Sequence, residues 1–423
     1  MRKMKDSGFS WLGYIPNNWD IKKVKHCFYR KNEKAMQNDP VILSLARSGV
    51  KVRDISNNEG QMAESYFNYN PVDIDDLLLN PMDLYSGANC SISKVNGVIS
   101  PAYVNLRALD GINPVFFDYY FKVQYWLMAF FSYGKGVSFD NRWTLNAETL
   151  MNYPVIVPSY AEQRKIADYL DDKCSKIDAI IAKQEKIIEK LKEYRVSIIT
   201  EKVTKGLCNN LKYKDSGLEW IGFIPEHWNL QKLKYLAKIM RGRFNHRPRN
   251  DPRFYDGEFP FVQTGDVARA EKYITEFSQT LNMLGRSVSK EFPTGSICMT
   301  IAANVGDVAI LNFDACFPDS IVGFVPKNDI SRYYLFYVLK AMKQQLVRNA
   351  IISTQLNLNI EIIKEEFIPL PTEEEQIIIA KYLDQKCESI DKQVARREQL
   401  ISKLTEYKKS LIYECVTGKK EVC

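Results

Sequence analysis

The sequence predicts an α+β fold: two mixed α/β domains joined by two long antiparallel helices, related by an internal pseudo-two-fold repeat. Three observations lead there. A frame of matched residues is written twice along the chain, each copy ends in a long proline-free stripe of apolar residues at helical spacing, and each copy encloses a segment that the other does not share.

The first frame block opens each half. Lys5-Asp6-Ser7-Gly8, Trp11, Gly13, Ile15-Pro16 and Trp19 recur as Lys214-Asp215-Ser216-Gly217, Trp220, Gly222, Ile224-Pro225 and Trp228, at an offset of 209. The second block closes each half. Residues 161–178 match 374–391 at an offset of 213, and the match runs on to Val203-Thr204 against Val416-Thr417. Residues about 21–158 and about 230–371 share little beyond length, and the change of offset makes the second insert four residues longer. The division expected is a first frame segment with its insert at 1–158, a helix at 159–206, a second frame segment with its insert at 207–371, and a second helix with the C-terminus at 372–423.

The helices have readable starts. Ser159 with Glu162, and Thr372 with Glu375, form S/T-x-x-E capping boxes just after prolines. The stripe Ile166, Leu170, Cys174, Ile177, Ile181, Ile188, Leu191, Ile198 repeats as Ile379, Leu383, Cys387, Ile390, Val394, Ile401, Leu404, Leu411. So narrow a seam suits helix pairing, and the stripes themselves are core packing. Gln184 with Arg397, and Arg195 with Lys408, are polar at matched seam positions, where polar groups fix register. About 45 residues make a helix of roughly 65 Å, long for a globular domain. Two copies of one frame on one chain would set the pair antiparallel.

The inserts read as compact. The second carries strand-like runs at Phe259–Val262, Ser296–Ile301, Val308–Leu311 and Ile321–Val325, then a helix at Tyr333–Leu346. The first has strands at Val41–Leu45, Leu77–Leu79 and Val104–Leu106, and an aromatic run at Phe116–Phe131 that reads as a buried helix. Residues 241–253 stand out for charge: Arg241, Arg243, Arg247, Arg249 and Arg253 face only Asp251. Pro248 and Pro252 should keep this stretch non-helical, with guanidinium groups splayed from a loop. Arginine pairs bidentately with phosphate or the guanine edge, so the loop is a candidate DNA contact, and without a partner it is a solvated surface. In the first insert the candidates are Arg47, Lys51, Arg53, Lys135 and Arg142 beside Trp143. Gln355, with Ser353 and Thr354, precedes the second helix where Arg142 precedes the first, and serves equally as base reader or turn former.

Composition narrows the class of function. Hydrophobic residues make up 45% and aromatics 12%, enough for real cores, and a net charge of +7 permits a polyanionic partner. Nine scattered cysteines without a C-x-x-C fit neither a disulfide framework nor a zinc cluster. With no signal peptide and no apolar run of about 18 residues, a cytoplasmic protein is expected. Catalytic signatures are missing: there is no phosphate-binding G-x-x-x-x-G-K-[ST], and Asn80-Pro81-Met82-Asp83 lacks the second proline and the aromatic of an amino-methyltransferase motif. The three histidines, His26, His227 and His246, have no metal-ligand spacing. A chain without catalysis or cofactor of its own is expected.

The whole pattern resembles the specificity subunits of type I restriction–modification enzymes. The motif P-x-x-x-E-Q-x-x-I-A-x-Y-L-D runs from Pro158 through Glu162-Gln163, Ile166-Ala167 and Tyr169-Leu170-Asp171. It recurs from Pro371 through Glu375-Gln376, Ile379-Ala380 and Tyr382-Leu383-Asp384. The D-S-G-x-x-W-x-G-x-I-P-x-x-W openings are similar to that family as well. The resemblance implies two target-recognition domains, each reading one half of a bipartite double-stranded DNA site, on helices that form a coiled-coil spacer and dock two methyltransferase subunits. It further implies S-adenosylmethionine, ATP and Mg in partner methyltransferase and restriction/translocase subunits, not in this chain. The alternatives are a recognition subunit of another two-site system with a fused methyltransferase–nuclease partner, a stand-alone enzyme, and a helical scaffold without nucleic acid. A scaffold has no evident need for two divergent inserts on matched frames.

Overall fold

The computed structural model describes residues 2–54, 63, 65–82, 84, 90–136, 143–208, 210–302, 304–350 and 358–422. Four helices organise them: α1 (Pro114–Trp126), α2 (Tyr160–Lys205), α3 (Arg332–Ala341) and α4 (Glu373–Val416). The chain forms two compact units, one of residues 1–184 and 398–423, the other of residues 185–397. Neither long helix is a unit by itself. Each gives one stretch to each unit.

In the first unit a four-stranded antiparallel sheet runs in the order Phe28–Lys31, Val104–Ala108, Leu77–Leu79, Cys90–Ile92. The aromatic run packs beneath it as α1, with Phe116, Phe117, Tyr120 and Phe121 all fully buried. That burial confirms the run as core, but the helix is shorter than expected. It stops at Trp126, and a separate turn, Ala129–Ser132, follows left-handed Met128. The second unit has a five-stranded sheet in the order Ala237–Arg241, Ile321–Pro326, Ile297–Thr300, Val308–Leu311, Tyr273–Ile274, and a four-stranded sheet around Tyr255–Phe261. Its helix also breaks, α3 ending at Ala341 before a second helix, Lys343–Ala350.

The frame reaches further into the inserts than residue matching indicates. Asp20–Lys23 pairs antiparallel with Pro154–Val157, and Asn229–Lys232 pairs in the same way with Phe367–Leu370. Backbone hydrogen bonds make this pair, so its side chains were free to diverge.

The motif residues are the joints of each unit. Gln163, buried at the first turn of α2, accepts from the Asn113 N–H at 2.8 Å and donates to the carbonyls of Pro158 at 2.8 Å and Gly111 at 3.2 Å. Gln376 repeats this at α4 with the Ser331 N–H and the carbonyls of Pro371 and Asp329. The Trp19 indole donates to Glu162 at 2.9 Å, and that of Trp228 to Glu375 at 3.1 Å. The motif aspartates take tyrosine hydroxyls, Tyr119 to Asp171 at 2.7 Å and Tyr337 to Asp384 at 2.5 Å. The second capping box is complete: Glu375 accepts from the Thr372 N–H, and its own N–H donates to the Thr372 hydroxyl. The first is half formed, because the Glu162 carboxylate goes to Trp19 and Arg2 instead.

Each unit is closed by the end of the other long helix. In the first, Lys408 of α4 pairs with Asp178 of α2 at 2.6 Å, and Lys420 beyond α4 lies over Tyr169 near the start of α2. The two stretches therefore run antiparallel. In the second unit Arg195 of α2 pairs with Asp391 of α4 at 2.9 Å, while the Val203 carbonyl shares the Tyr334 hydroxyl with that of Pro369, just before α4. That stretch is antiparallel too. The matched polar seam residues Arg195 and Lys408 are thus equivalent cross-helix ion pairs. Past each helix a glycine in the left-handed region, Gly206 or Gly418, crosses the face of Trp228 or Trp19, where an added Cβ would lie 3.2 or 3.1 Å from the ring.

This packing has two measurable consequences. Gln163→Met leaves the Asn113 N–H and two carbonyls without their partner, which should cost about 1–3 kcal/mol, and Gln376→Met should cost as much. Urea unfolding reads this, and unchanged midpoints would show that water replaces the amide. Lys340, whose amine donates to the Glu271 carbonyl at 2.7 Å, is held down to about 8, chiefly by burial and then by Arg195. Between about 8 and the ordinary lysine value near 10.4, the unfolded chain binds more protons than the folded one, so stability rises with pH there. Lys340→Met should flatten that rise in a pH series of unfolding midpoints.

Candidate nucleic-acid interface

The Arg-rich stretch leaves the edge strand Ala237–Arg241 and is tied down on both sides. The Gly242 N–H donates to the Ile321 carbonyl at 2.8 Å and the Arg243 N–H to that of Phe317 at 3.0 Å. Phe244 then bridges antiparallel to Ser289, and the Asn245 N–H donates to the Val288 carbonyl at 3.1 Å. Gly242 is required by close approach, since a Cβ there would sit 2.2 Å from the Pro318 carbonyl oxygen and 2.5 Å from that of Phe317. His246 stacks on Phe254 with ring centroids 4.0 Å apart and bonds Asp251 at 2.9 Å.

The guanidinium groups are not splayed as the sequence suggests. Arg249 donates to both carboxylate oxygens of Asp319 at 2.7 Å. Arg247 is 3.9 Å from the same carboxylate and gives its Nη1 to the carbonyls of Phe244 and His246, both at 2.8 Å. Arg241 donates to the Asp319 backbone carbonyl at 2.5 Å. Arg253 pairs with Asp251 and, as the main cause, holds that carboxyl well below its usual range. Part of the stretch is helical after all, a 3-10 turn at Pro252–Phe254 that uses proline at its start. Arg241 and Arg243 are exposed without a side-chain partner among the described residues, and of the two guanidinium groups only that of Arg241 bonds a backbone carbonyl.

The bridge of Phe244 to Ser289 brings in a lysine that no pattern in the sequence marks out. Lys290 lies beside Arg243 and Lys238. Its amine is pushed below the ordinary lysine value, first by burial and then by those two cations. No ion pair is made by Lys238, Arg243 or Lys290 among the described residues. Next to Arg249 a cleft of about 460 Å³ is lined by Asn250, Gln263, Gln279, Ser320 and Phe244. The Gln263 amide donates to that of Gln279 at 2.9 Å.

In the first insert Arg47, Lys51 and Arg53 share one hairpin, Leu43–Ala46 with Gly49–Val52. Arg47 is exposed in its turn and Lys51 on its outer strand, while Arg53 is half-buried with its N–H on the Ile42 carbonyl at 2.8 Å. Lys135 is exposed on a separate segment that bridges Thr144. Arg142 and Gln355 lie outside the described residues, as do Ser138, Asn141, Ser353, Thr354 and Asp83. The Asn80 side chain accepts from the Met82 N–H at 3.0 Å and so caps its own turn. Among the described residues no cluster of His, Cys, Asp or Glu is placed to hold a metal ion, and no helix is long and apolar enough to cross a membrane.

Residues 225–403 match the family described as type I restriction modification DNA specificity domain. Over 290 residues the chain is 29% identical to the putative type I restriction enzyme MjaX specificity subunit of Methanocaldococcus jannaschii, covering 67% of this chain and 63% of that one. Over 405 residues it is 24% identical to the EcoBI specificity subunit of Escherichia coli, covering 89% of this chain and 80% of that one. Family model and relatives alike make the chain similar to the specificity subunits of type I restriction–modification enzymes. A solved chain from a study of assembly and conformational transition of the type I R-M system shares the fold, with a TM-score of 0.73 at 16% identity over 95% of this chain and 98% of that one. The family match takes in the whole Arg-rich stretch, both its anchoring strands and Lys290. Gly242→Ala should displace the stretch from the 317–321 segment at a cost of about 1–3 kcal/mol, as overpacking does. A variant with an unchanged melting temperature would show that the backbone gives way freely.

Proposed function

We propose that this chain gives a type I restriction–modification complex its DNA sequence specificity, each insert reading one half of a bipartite double-stranded site. The observation that carries the reading is the contrast within one chain. The frame joints, Gln163 and Gln376, Trp19 and Trp228, Asp171 and Asp384, repeat bond for bond. The sheets they support repeat only in part: the four strands of the first unit's sheet have counterparts in the same order in the second, which adds a fifth strand, Tyr273–Ile274, and a separate four-stranded sheet around Tyr255–Phe261. A duplicated frame carrying two different surfaces suits an asymmetric site.

The chain is non-catalytic in this reading. Two methyltransferase subunits dock on the frame helices and bind S-adenosylmethionine, restriction/translocase subunits bring ATP and Mg, and the assembly works in the cytoplasm. The helices set the unread gap between the half-sites. In the first insert Arg47, Lys51, Arg53, Lys135 and Arg142 are the DNA-facing candidates, and in the second the Arg-rich stretch and Gln355.

Base contacts depend on short-range geometry, so the two readers should be separable. Replacing residues 21–158 by the corresponding insert of another specificity subunit should change one half-site and keep the other, as mapped by methylation in cells carrying the partner subunits. Altering both half-sites together would overturn the two-reader assignment in favour of a single composite surface.

A further inference from the structure

We propose that the cationic surface of the second insert has two separate roles: Lys238, Arg243 and Lys290 meet DNA phosphates, while Arg249, fixed by Asp319, reads a base edge. The inference rests on the reading of the inserts as DNA readers and assigns roles within one of them.

Charge balance separates the two groups. Lys238, Arg243 and Lys290 come from an edge strand, the loop after it and the segment bridged to that loop, and none has an acidic partner among the described residues. Like charges held together cost free energy that an approaching polyanion relieves. The lowered proton affinity of Lys290, caused by burial and then by Arg243 and Lys238, records that cost. Each such cation that neutralises a phosphate releases counterions and so adds to the salt dependence of binding.

Arg249 and Arg247 are placed differently. Arg249 is already bonded to both oxygens of Asp319, and that carboxylate would repel a phosphate brought beside it. With Arg247 3.9 Å from the same carboxylate, the three groups keep a smaller net positive charge than the unpaired patch, and the remaining N–H donors of Arg249 keep their direction. That combination suits recognition of a base edge, where geometry carries the information and charge carries little. The neighbouring cleft suits base recognition as well. Asn250, Gln263 and Gln279 offer amides, the groups that match the donor and acceptor edge of adenine. Asp319 is then a positioning residue. It holds Arg249 through its carboxylate and Arg241 through its backbone carbonyl, and so removes rotamer freedom before DNA arrives.

The test uses the assembled methyltransferase, with a duplex carrying its mapped site and an unrelated duplex, over a range of salt concentrations. Lys238→Gln, Arg243→Gln and Lys290→Gln should each flatten the slope of log K against log salt by about 0.9, with equal losses on both duplexes. Arg249→Gln should lower discrimination about 10- to 100-fold at a base pair of one half-site only, and Asp319→Asn should do the same while steepening the slope, because it frees the guanidinium groups of Arg249 and Arg247. The Arg249 variant carries this arm if the Asp319 variant does not fold. Unchanged slopes for the three patch variants, or a flattened slope with intact discrimination for Arg249→Gln, would overturn the division of roles. Failure of the unaltered assembly to prefer its own site would instead overturn the reading of the inserts as DNA readers.

Discussion

One buried amide at the start of each long helix ties three parts of its unit together. Gln163 holds the turn before α1, the end of the frame strand and the helix that begins there, using its carbonyl and both N–H groups. Gln376 does the same before α3 and α4. A side chain that satisfies one backbone donor and two acceptors in a dry site leaves little freedom in how insert and helix meet. The neighbouring carboxylate fixes the opening tryptophan, and the aspartate eight residues on takes a hydroxyl from the insert's helix. The first turns of each long helix therefore carry repeated bonds into the domain they support.

With those joints in place, the two units are built by one rule. Each takes an opening hairpin, Met4–Asp6 with Tyr14–Pro16 or Tyr213–Asp215 with Phe223–Pro225, then an insert, the beginning of its own helix and the end of the other helix. The closing contact is the same in both, a glycine beyond the helix passing over the opening tryptophan. The seam between the helical stretches is apolar near the inserts, where Leu170 and Leu383 are fully buried, and each stretch adds one cross-helix ion pair. Ion pairs still reached by solvent contribute little energy, so Lys408–Asp178 and the half-buried Arg195–Asp391 are better understood as register marks than as sources of stability. That explains why their polarity, at matched positions, survives inside an otherwise apolar stripe.

The electrostatics of the second insert show why a count of arginines misleads. Five guanidinium groups in one short stretch look alike in sequence. In space one carboxylate, that of Asp319, is shared by two of them, Asp251 pairs with a third, and a neutral carbonyl orients a fourth, Arg241, without offsetting its charge. The Arg243 guanidinium has no such contact among the described residues, and it stands with two lysines from other segments. Net charge after pairing, and not the number of cations, decides what a surface offers to a polyanion.

Much of this was legible in the sequence for a physical reason. Helices bury residues at 3–4 spacing and begin at caps, so the stripes from Ile166 and Ile379 and the boxes at Ser159 and Thr372 announced two long helices, and duplication announced their antiparallel relation. The frame strands were partly hidden because backbone bonds make them, which left Asp20–Lys23 and Asn229–Lys232 free to diverge. The helix break at Met128 was invisible because the apolar run continues through it to Phe131, and that at Met342 because the good helix formers Lys343, Gln344 and Gln345 follow it. The interface was the least legible part. Which cations are paired depends on Asp319, and which stand together depends on the bridge between Phe244 and Ser289; both contacts join residues far apart in the chain. The sequence by itself determined the repeat, the helices and their seam, because those follow from local periodicity. Only the tertiary structure decided the charge left uncompensated, because that depends on which distant groups the fold brings within a hydrogen bond of each other.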